Sequence, residues 1–413
     1  MKRAFRKSVF NGLVIGLTAG AFSAGAFASD KVINESFHPY KDQMPSHEGL
    51  SAGMTIDESN VAQFKDVIDP AFYTFIENGW TSIAVGKTTS FDLHPAYVDA
   101  TRNALGEVSL GEQVGEINGW KAGRPFPQEP DADDPRAGEK LAWNYKYGYN
   151  WGDSAAIMPF YWKYRDMESA KVERTIKFNF HFLNYKGRVI QEPTPEITPN
   201  PSDLFRAIYV QVLDPADVRN TQLLIHRAAD DLKRDNSWLY LGFNGRISDM
   251  DWTYKGTRYM LMPFYNHNEL KLDEETHSDS DGYQVVAFSG KGGCFPDITW
   301  QLRKVYEVEA KPVDESHPLS KRIHYMDAQT FTIPRTVAYD RKGSLWKTFT
   351  IGQAHPDHHL PKNEGTGVSI DDSFSMIDVQ ASHCTTGQFK GQVDPELSPP
   401  NMFNVQHLRA TGT

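Results

Sequence analysis

Short runs of β-branched and aromatic residues, separated by turn residues, fill the chain from Phe205 onward. Several runs alternate between apolar and polar residues, which predicts strands with one buried and one solvated face. Successive runs joined by tight turns predict an antiparallel meander. A long meander must curl into a barrel, a half-barrel or a sandwich to bury its apolar face. The predicted strands are FRAIYVQVL, TQLLIHR, SWLYLGF, TRYMLMPF, YQVVAFS, ITWQLRKVYEVEA, SKRIHYMD, TFTIPRTVAYD, SLWKTFTIG and FSMIDVQAS.

Residues 29–204 have a different texture, in which helical patterns alternate with Pro-rich connections. Between Val61 and Ile76 the apolar residues recur at helical spacing, and Asp69-Pro70 is a typical helix start. We therefore predict that 29–204 is a helix- and loop-rich N-terminal region packed on the sheet. Residues 205–413 would form the meander of the main curved sheet and end in a loop-rich C-terminus.

Residues 1–28 have the organisation of a secretory signal peptide: a basic start, an apolar stretch and a small-x-small ending at Ala26-Phe27-Ala28. A membrane anchor is the alternative, but the apolar stretch is short and rich in Gly and Ala. We predict cleavage after Ala28 and a periplasmic protein. The formal net charge of −10 becomes more negative without this basic segment. Such an acidic balance argues against nucleic acid as a partner.

No catalytic motif is recognisable, and we predict neither catalytic residues nor a cofactor. The histidines His355, His358 and His359 could supply zinc ligands. Because Pro356 and the close spacing place them in a loop where neighbouring side chains diverge, we predict a solvated loop and no metal. Whether the chain is an enzyme at all stays open at this point.

The chain has two cysteines, Cys294 and Cys384. In an oxidising compartment an isolated pair is a candidate disulfide, and closing so long a loop would stabilise the fold by roughly 4 to 5 kcal/mol. Two buried free thiols are the alternative, because sequence does not show whether the two Cα atoms come close enough.

The order of several motifs resembles that of the DUF1329 family of exported proteobacterial proteins, often labelled outer-membrane lipoprotein-sorting-like. The matching segments are FKDVIDPAFYTFIENGW, AGRPFP, DPRAGEKLAWNY, LDPADVRNTQLL, DMDWTYKGTRYMLMPFYNHNEL, WQLRKVYEVEA and SKRIHYMDAQTFTIPRTVAYDRKGSLWK. The resemblance implies a mainly β (α+β) fold: a strongly curved antiparallel sheet or half-barrel resembling lipoprotein carriers, with helices covering the open side. It implies no catalytic residues.

The resemblance also implies a role in moving hydrophobic compounds, because such proteins tend to be encoded beside an outer-membrane β-barrel protein and an efflux-type inner-membrane transporter. We therefore expect a periplasmic binding or carrier protein for a lipid or apolar metabolite, accessory to envelope transport. An enzyme of hydrophobic-compound metabolism and a structural subunit of an envelope transport complex are the alternatives.

Aromatic residues of the predicted sheet are the candidates for lining an apolar cavity, since rings on the concave face would contact the ligand. The alternative is that they pack the core beneath the N-terminal helices. The candidates are Trp238, Tyr240, Tyr265, Trp300, Tyr306, Tyr325, Tyr339 and Trp346.

Overall fold

A computed structural model describes residues 29–237, 246–270, 272 and 283–411. Its α-helices are α1 (29–37), α2 (Pro70–Glu77), α3 (Pro95–Asn103), α4 (Ala137–Lys146) and α5 (Val405–Thr411). Short 3-10 helices lie at Val61–Phe64, Ile247–Asp249, His267–Glu269, Lys291–Gly293, Pro356–His358, Pro361–Asn363, Pro395–Leu397 and Pro400–Met402.

The strands dominate the described part of the chain. They are β1 (Thr55–Ile56), β2 (Ile83–Val85), β3 (Ser109–Leu110), β4 (Ile117–Asn118), β5 (Ser154–Asp166), β6 (Val172–Asn184), β7 (Leu204–Asp214), β8 (Gln222–Ala228), β9 (Asn236–Ser237), β10 (Met250–Met262), β11 (Phe264–Tyr265), β12 (Phe288–Ser289), β13 (Phe295–Pro296), β14 (Thr299–Pro312), β15 (Leu319–Asp327), β16 (Arg335–Asp340), β17 (Leu345–Ala354), β18 (Ile370–Asp378) and β19 (His383–Gln392).

One large sheet contains 15 of these strands in the order β1-β2-β14-β15-β16-β17-β18-β19-β5-β6-β7-β8-β9, with β10 added on β14 and β11 on β17. Its pairs are antiparallel except for β2 with β14 and β11 with β17. Over the described residues the sheet does not close into a barrel. The mainly β, half-barrel fold class predicted from the sequence is confirmed, with these parallel pairs making the sheet mixed rather than purely antiparallel.

Helix α4 shows how strongly the sheet curls. It packs on β10 and β14, and at its C-terminal end the ring of Tyr147 lies 5.1 Å from that of Phe205 on β7. In a flat sheet, the eight strand spacings from β14 to β7 would separate these two contacts by about 38 Å. A helix of ten residues is only about 15 Å long. The sheet therefore wraps around α4, and we call the face toward α4 the inner face.

The opposite, outer face is covered by the N-terminal region. The Asp69 carboxylate caps α2 by accepting from the backbone N–H of Phe72 at 3.0 Å. The same carboxylate pairs with the Arg335 guanidinium on β16 at 2.9 Å, with both side chains buried. The ring of Phe72 lies 4.5 Å from that of Trp300. Helix α2, predicted from the Asp69-Pro70 signal, is thus fixed to the sheet by an ion pair and by ring packing.

The predicted helix- and loop-rich region 29–204 needs correction, because β5 and β6 lie within it and form a hairpin in the middle of the sheet. Strand β19 also lies outside the predicted runs. The predicted strand YQVVAFS is a strand only at Phe288–Ser289, and SWLYLGF falls mostly outside the described residues. The antiparallel pairings of β15, β16 and β17 confirm the predicted hairpins.

No helix in the described ranges is both long enough and apolar enough to span a membrane.

Candidate functional site

The inner face carries a continuous apolar surface across β19, β5, β6, β7 and β8. Phe374 on β18 and Trp151, which precedes β5, extend it. We call this surface the aromatic face. Strand register explains it: Phe160 stands opposite Phe389 on one side and Phe178 on the other, and side chains two residues apart share a face. The aromatic face consists of Trp151, Ile157, Phe160, Trp162, Ile176, Phe178, Phe180, Phe182, Ile208, Val210, Val212, Leu223, Ile225, Phe374 and Phe389.

Close ring contacts order this surface. The ring of Phe160 lies 4.3 Å from that of Phe178 and 4.2 Å from that of Phe389, and Trp151 stacks on Phe182 at 4.4 Å. Close packing of the Phe389 ring also requires a glycine at position 387, because a Cβ on Gly387 would come within 2.7 Å of that ring. The rings are therefore held in fixed positions by strand pairing and by one another.

Packing of the aromatic face is incomplete. Large members such as Phe160, Trp162, Phe180 and Phe374 are only half-buried, although they lie on the inner side of a curved sheet. The Trp162 indole Nε1 is buried without a hydrogen-bond partner among the described residues. A buried donor left without an acceptor is unfavourable. The aromatic face therefore has apolar area and one indole N–H group that the described residues leave without a partner.

Polar groups border the aromatic face near α4. Burial raises the pKa of the Asp371 carboxyl on β18 to about 7, while the hydrogen bond from Gln353 opposes the rise. Burial also raises the pKa of Tyr145 on α4, and the charges of Asp371, Arg227 and Arg206 all act on its hydroxyl. Strands β18, β7 and β8 therefore approach the same part of α4.

A second cluster is buried behind β18, centred on the carboxylate of Asp372. The bulge between β17 and β18 makes Asp372 the extra residue, because Gly352 pairs with Ser373 and Gln353 with Asp371. A bulge re-aims the side chain that it carries. The Asp372 carboxylate oxygens lie 2.6 Å from His267 Nδ1 and 2.9 Å from His359 Nε2.

The Asp372 carboxylate also accepts from two tyrosine hydroxyls, Tyr265 at 3.1 Å and Tyr283 at 2.8 Å. Burial disfavours the Asp372 carboxylate, but attraction to His267 and His359 outweighs burial and holds its pKa below the usual range. Burial lowers the pKa of His267, and the Asp372 charge overcomes this so that the net shift is upward. The cluster is therefore a charged, hydrogen-bonded network.

The same cluster holds possible metal ligands, since His267, His359 and Asp372 offer ligand atoms within 4.8 Å of one another. The Asn363 amide N–H groups donate to Gly391 O and to His359 Nδ1, while its oxygen accepts from Val393 N. His359 must then carry its proton on Nε2, facing Asp372. A metal-bound histidine normally donates from its second nitrogen, which Asn363 does not accept here. The residues fit a hydrogen-bond network better than a metal centre.

Of the three loop histidines considered as zinc ligands, only His359 belongs to this cluster. The rings of His355 and His358 lie 4.8 Å apart, and His355 instead caps the 3-10 turn by accepting from Asp357 N. His267 and Asp372 were missed because they are distant in sequence and meet only through the bulge and the β11–β17 pairing.

The predicted ligand-binding aromatics fall into three groups. Tyr265, Trp300, Tyr306 and Tyr325 are at most 4% exposed, which favours the packing alternative for them. Tyr339 and Trp346 are half-buried and lie outside the aromatic face. Trp238 and Tyr240 lie outside the described residues.

The aromatic face itself was missed, although its signal is present in the sequence. Phe178, Phe180 and Phe182 alternate with polar Asn179 and His181, which is the strand pattern used for the later runs. It was passed over because the surrounding segment was interpreted as loop-rich.

Cys294 and Cys384 are bonded in the structure, with Cα atoms 6.0 Å apart. Cys384 lies on β19, and Cys294 follows the turn Lys291–Gly293. The bond therefore attaches a covering segment to the outer face of the sheet.

Fold and site together define a mainly β half-barrel protein with a helix inside its curve and an apolar inner face. The chain belongs to the DUF1329 family of proteins of unknown function, whose model matches residues 55–243 and 241–409. An uncharacterized protein of Pseudomonas aeruginosa, PA3922, is 22% identical over 366 residues, covering 79% of this chain and 72% of that protein.

The solved structures to which this chain is similar include a DUF1329 family protein from Desulfovibrio piger. It is 15% identical with a TM-score of 0.42, over 67% of this chain and 99% of that one. A domain named for outer membrane lipoprotein sorting, from Vibrio parahaemolyticus, is 16% identical with a TM-score of 0.41, over 67% and 100% of the two chains. The LolA superfamily protein NE2245 of Nitrosomonas europaea is 10% identical with a TM-score of 0.32, over 62% and 91%.

Proposed function

We propose that this protein is a periplasmic carrier that binds a lipid or another apolar molecule on its aromatic face and serves envelope transport. The observation that carries this proposal is the set of half-buried rings inside the curve of the sheet, together with the unpartnered indole of Trp162. Apolar ligand sites are concave and lined by aromatic side chains with few polar groups. An outer-membrane barrel protein and an efflux-type transporter are the proposed partners.

The buried histidine–aspartate cluster supports a carrier over an enzyme. The side chains of His359 and Asp372 are 0% exposed and that of His267 is 7% exposed. A catalytic group must come within hydrogen-bond reach of a substrate. This network instead uses its polar atoms to fix β11, β18 and the loop carrying His359 to one another.

Binding of a fluorescent apolar probe tests the proposal. Phe180→Ser removes a half-buried ring from the middle of the aromatic face, so probe affinity should fall by about 10-fold or more. Tyr259→Ser is the matched control, because Tyr259 is 50% exposed on β10, away from the aromatic face. Equal probe affinity in the wild type and in folded Phe180→Ser would reject this face as the binding site. Native mass spectrometry of protein purified from its own periplasm would identify the bound ligand.

A further inference from the structure

Two arginines face each other at one end of the aromatic face. Arg206 on β7 is the direct register partner of Arg227 on β8. Each stands two residues from a member of the aromatic face, Ile208 or Ile225, which are themselves paired. Side chains two residues apart share a face, so both guanidinium groups continue the aromatic face by one row.

The charges around this pair do not balance. Arg227 pairs with Asp235 at 3.5 Å, and Lys146 pairs with Asp231 at 2.7 Å. Arg206, by contrast, donates from Nε to the neutral amide oxygen of Asn184 at 2.6 Å and has the ring of Phe205 beside it at 5.2 Å. Among the described residues, the guanidinium of Arg206 therefore has no paired carboxylate.

This arrangement is costly in the absence of a ligand. Like charges directly opposite each other on neighbouring strands destabilise a sheet. Burial, together with the charge of Arg227, lowers the pKa of Arg206 to about 10. A half-buried guanidinium keeps unused N–H donors that match the geometry of a carboxylate or phosphate. An anion placed here would neutralise the excess charge and accept those hydrogen bonds.

We propose that Arg206 and Arg227 bind the anionic head group, a carboxylate or a phosphate, of an amphiphile whose apolar body lies along the aromatic face. This inference rests on the proposed function and names the class of ligand. The nine residues from Ile176 to Asn184 on β6 span about 27 Å. One leaflet's acyl chain occupies about half of a 30 Å hydrocarbon core, so the aromatic face is long enough to hold such a chain.

Competition against a fluorescent apolar probe tests the head group. Hexadecanoate and hexadecyl phosphate are compared with hexadecanol, which has the same chain and no charge. We expect at least one anion to compete about 10-fold more strongly than the alcohol, since hydrogen bonds to charged groups are among the stronger ones. Whichever anion binds more tightly identifies the head group. Acetate and inorganic phosphate, which have no apolar body, should not compete.

Arg206→Gln should abolish the preference for the anion over hexadecanol, because it removes the charged donor from the head-group site. Arg219→Gln is the matched control, since Arg219 is exposed in the β7–β8 connection and pairs with Asp214. If Arg206→Gln does not fold, Arg206→Lys is measured instead. Lysine keeps the charge but lacks the two-pronged donor, so the preference should fall several-fold.

The failure of this inference differs from the failure of the proposed function. Equal competition by the anions and the alcohol in the wild type, or an unchanged preference in Arg206→Gln or Arg206→Lys, would overturn the head-group assignment and leave an apolar site. Absence of competition by all three long-chain compounds would overturn the proposed function itself.

Discussion

His267 Nδ1 lies 2.6 Å from Asp372 Oδ2, and this buried contact joins the turn after β11 to the bulge of β18. His267 Nε2 faces the backbone oxygen of Gln284 at 3.1 Å. Both ring nitrogens thus face acceptors, so the ring is a doubly protonated cation beside the Asp372 carboxylate. The pair holds together segments that are far apart in sequence.

Asp372→Asn should destabilise the protein by about 3–5 kcal/mol, because it leaves the His267 charge buried without its counterion. Urea unfolding followed by far-ultraviolet circular dichroism measures the change. Asp217→Asn is the control: Asp217 pairs with Arg174 on the surface, where such pairs contribute about 0–1 kcal/mol. Similar losses in the two variants would contradict a special role for the buried pair.

The contribution of this pair should depend on pH. The pKa of His267 is raised above 6.5, so its stabilisation is fully present below pH 6.5 and is lost as pH rises through the folded-state value. The pKa of Asp372 is lowered from 3.8, so its stabilisation is present above pH 3.8 and is lost as pH falls. The stability difference between wild type and His267→Gln should therefore be largest between these limits and should shrink at alkaline pH. A difference constant from pH 5 to pH 9 would contradict the charged state of His267.

The effect of Asp371 on the pH dependence of stability should be opposite to that of Asp372. Its folded-state pKa is raised from 3.8 to about 7 by burial, so the wild type loses stability as pH rises through this range. Asp371→Asn cannot ionise and should gain on the order of 4 kcal/mol relative to wild type between pH 4 and pH 8. Melting temperatures of both proteins across this range give the comparison. An unchanged difference would mean that Asp371 is not desolvated.

Thiol labelling of the denatured, unreduced protein should find no free cysteine, because Cys294 and Cys384 are bonded. Reduction should lower the free energy of unfolding by roughly 4–5 kcal/mol, as the bond closes a loop of 90 residues in the unfolded chain. The Cys294→Ser/Cys384→Ser double variant serves as a control and should be insensitive to reductant. Two labelled thiols would reject the bond.

Trp300→Ala should cost about 3–5 kcal/mol of stability and leave apolar-probe affinity unchanged, because Trp300 is packed against Phe72 in the core. Trp162→Ala, on the aromatic face, should show the reverse: weaker probe binding with a smaller loss of stability. Unfolding and binding measured on both variants separate the two roles. If Trp300→Ala is stable and binds the apolar probe more weakly, Trp300 contacts the ligand and the core assignment is wrong.

Local patterns were sufficient for many elements. The alternation from Thr299 to Ala310 predicted β14, and the turn residues after Asp327 and Asp340 predicted the hairpins around β16. The Asp69-Pro70 signal predicted the start of α2. These predictions succeeded because strand periodicity, turn chemistry and helix capping act between residues that are neighbours in sequence.

The sequence by itself determined the mainly β class, the family and the presence of apolar strand faces. Only the tertiary structure decided which aromatic residues pack in the core and which stay half-buried on the inner face. Trp300 and Trp162 both lie on amphipathic strands, but the ring of Trp300 is covered by Phe72 of α2, whereas Trp162 belongs to the aromatic face and is only half-buried. The meetings of His267 with Asp372 and of Arg206 with Arg227 depend likewise on a bulge and on strand register. Such contacts arise from long-range pairing, which local sequence patterns do not specify.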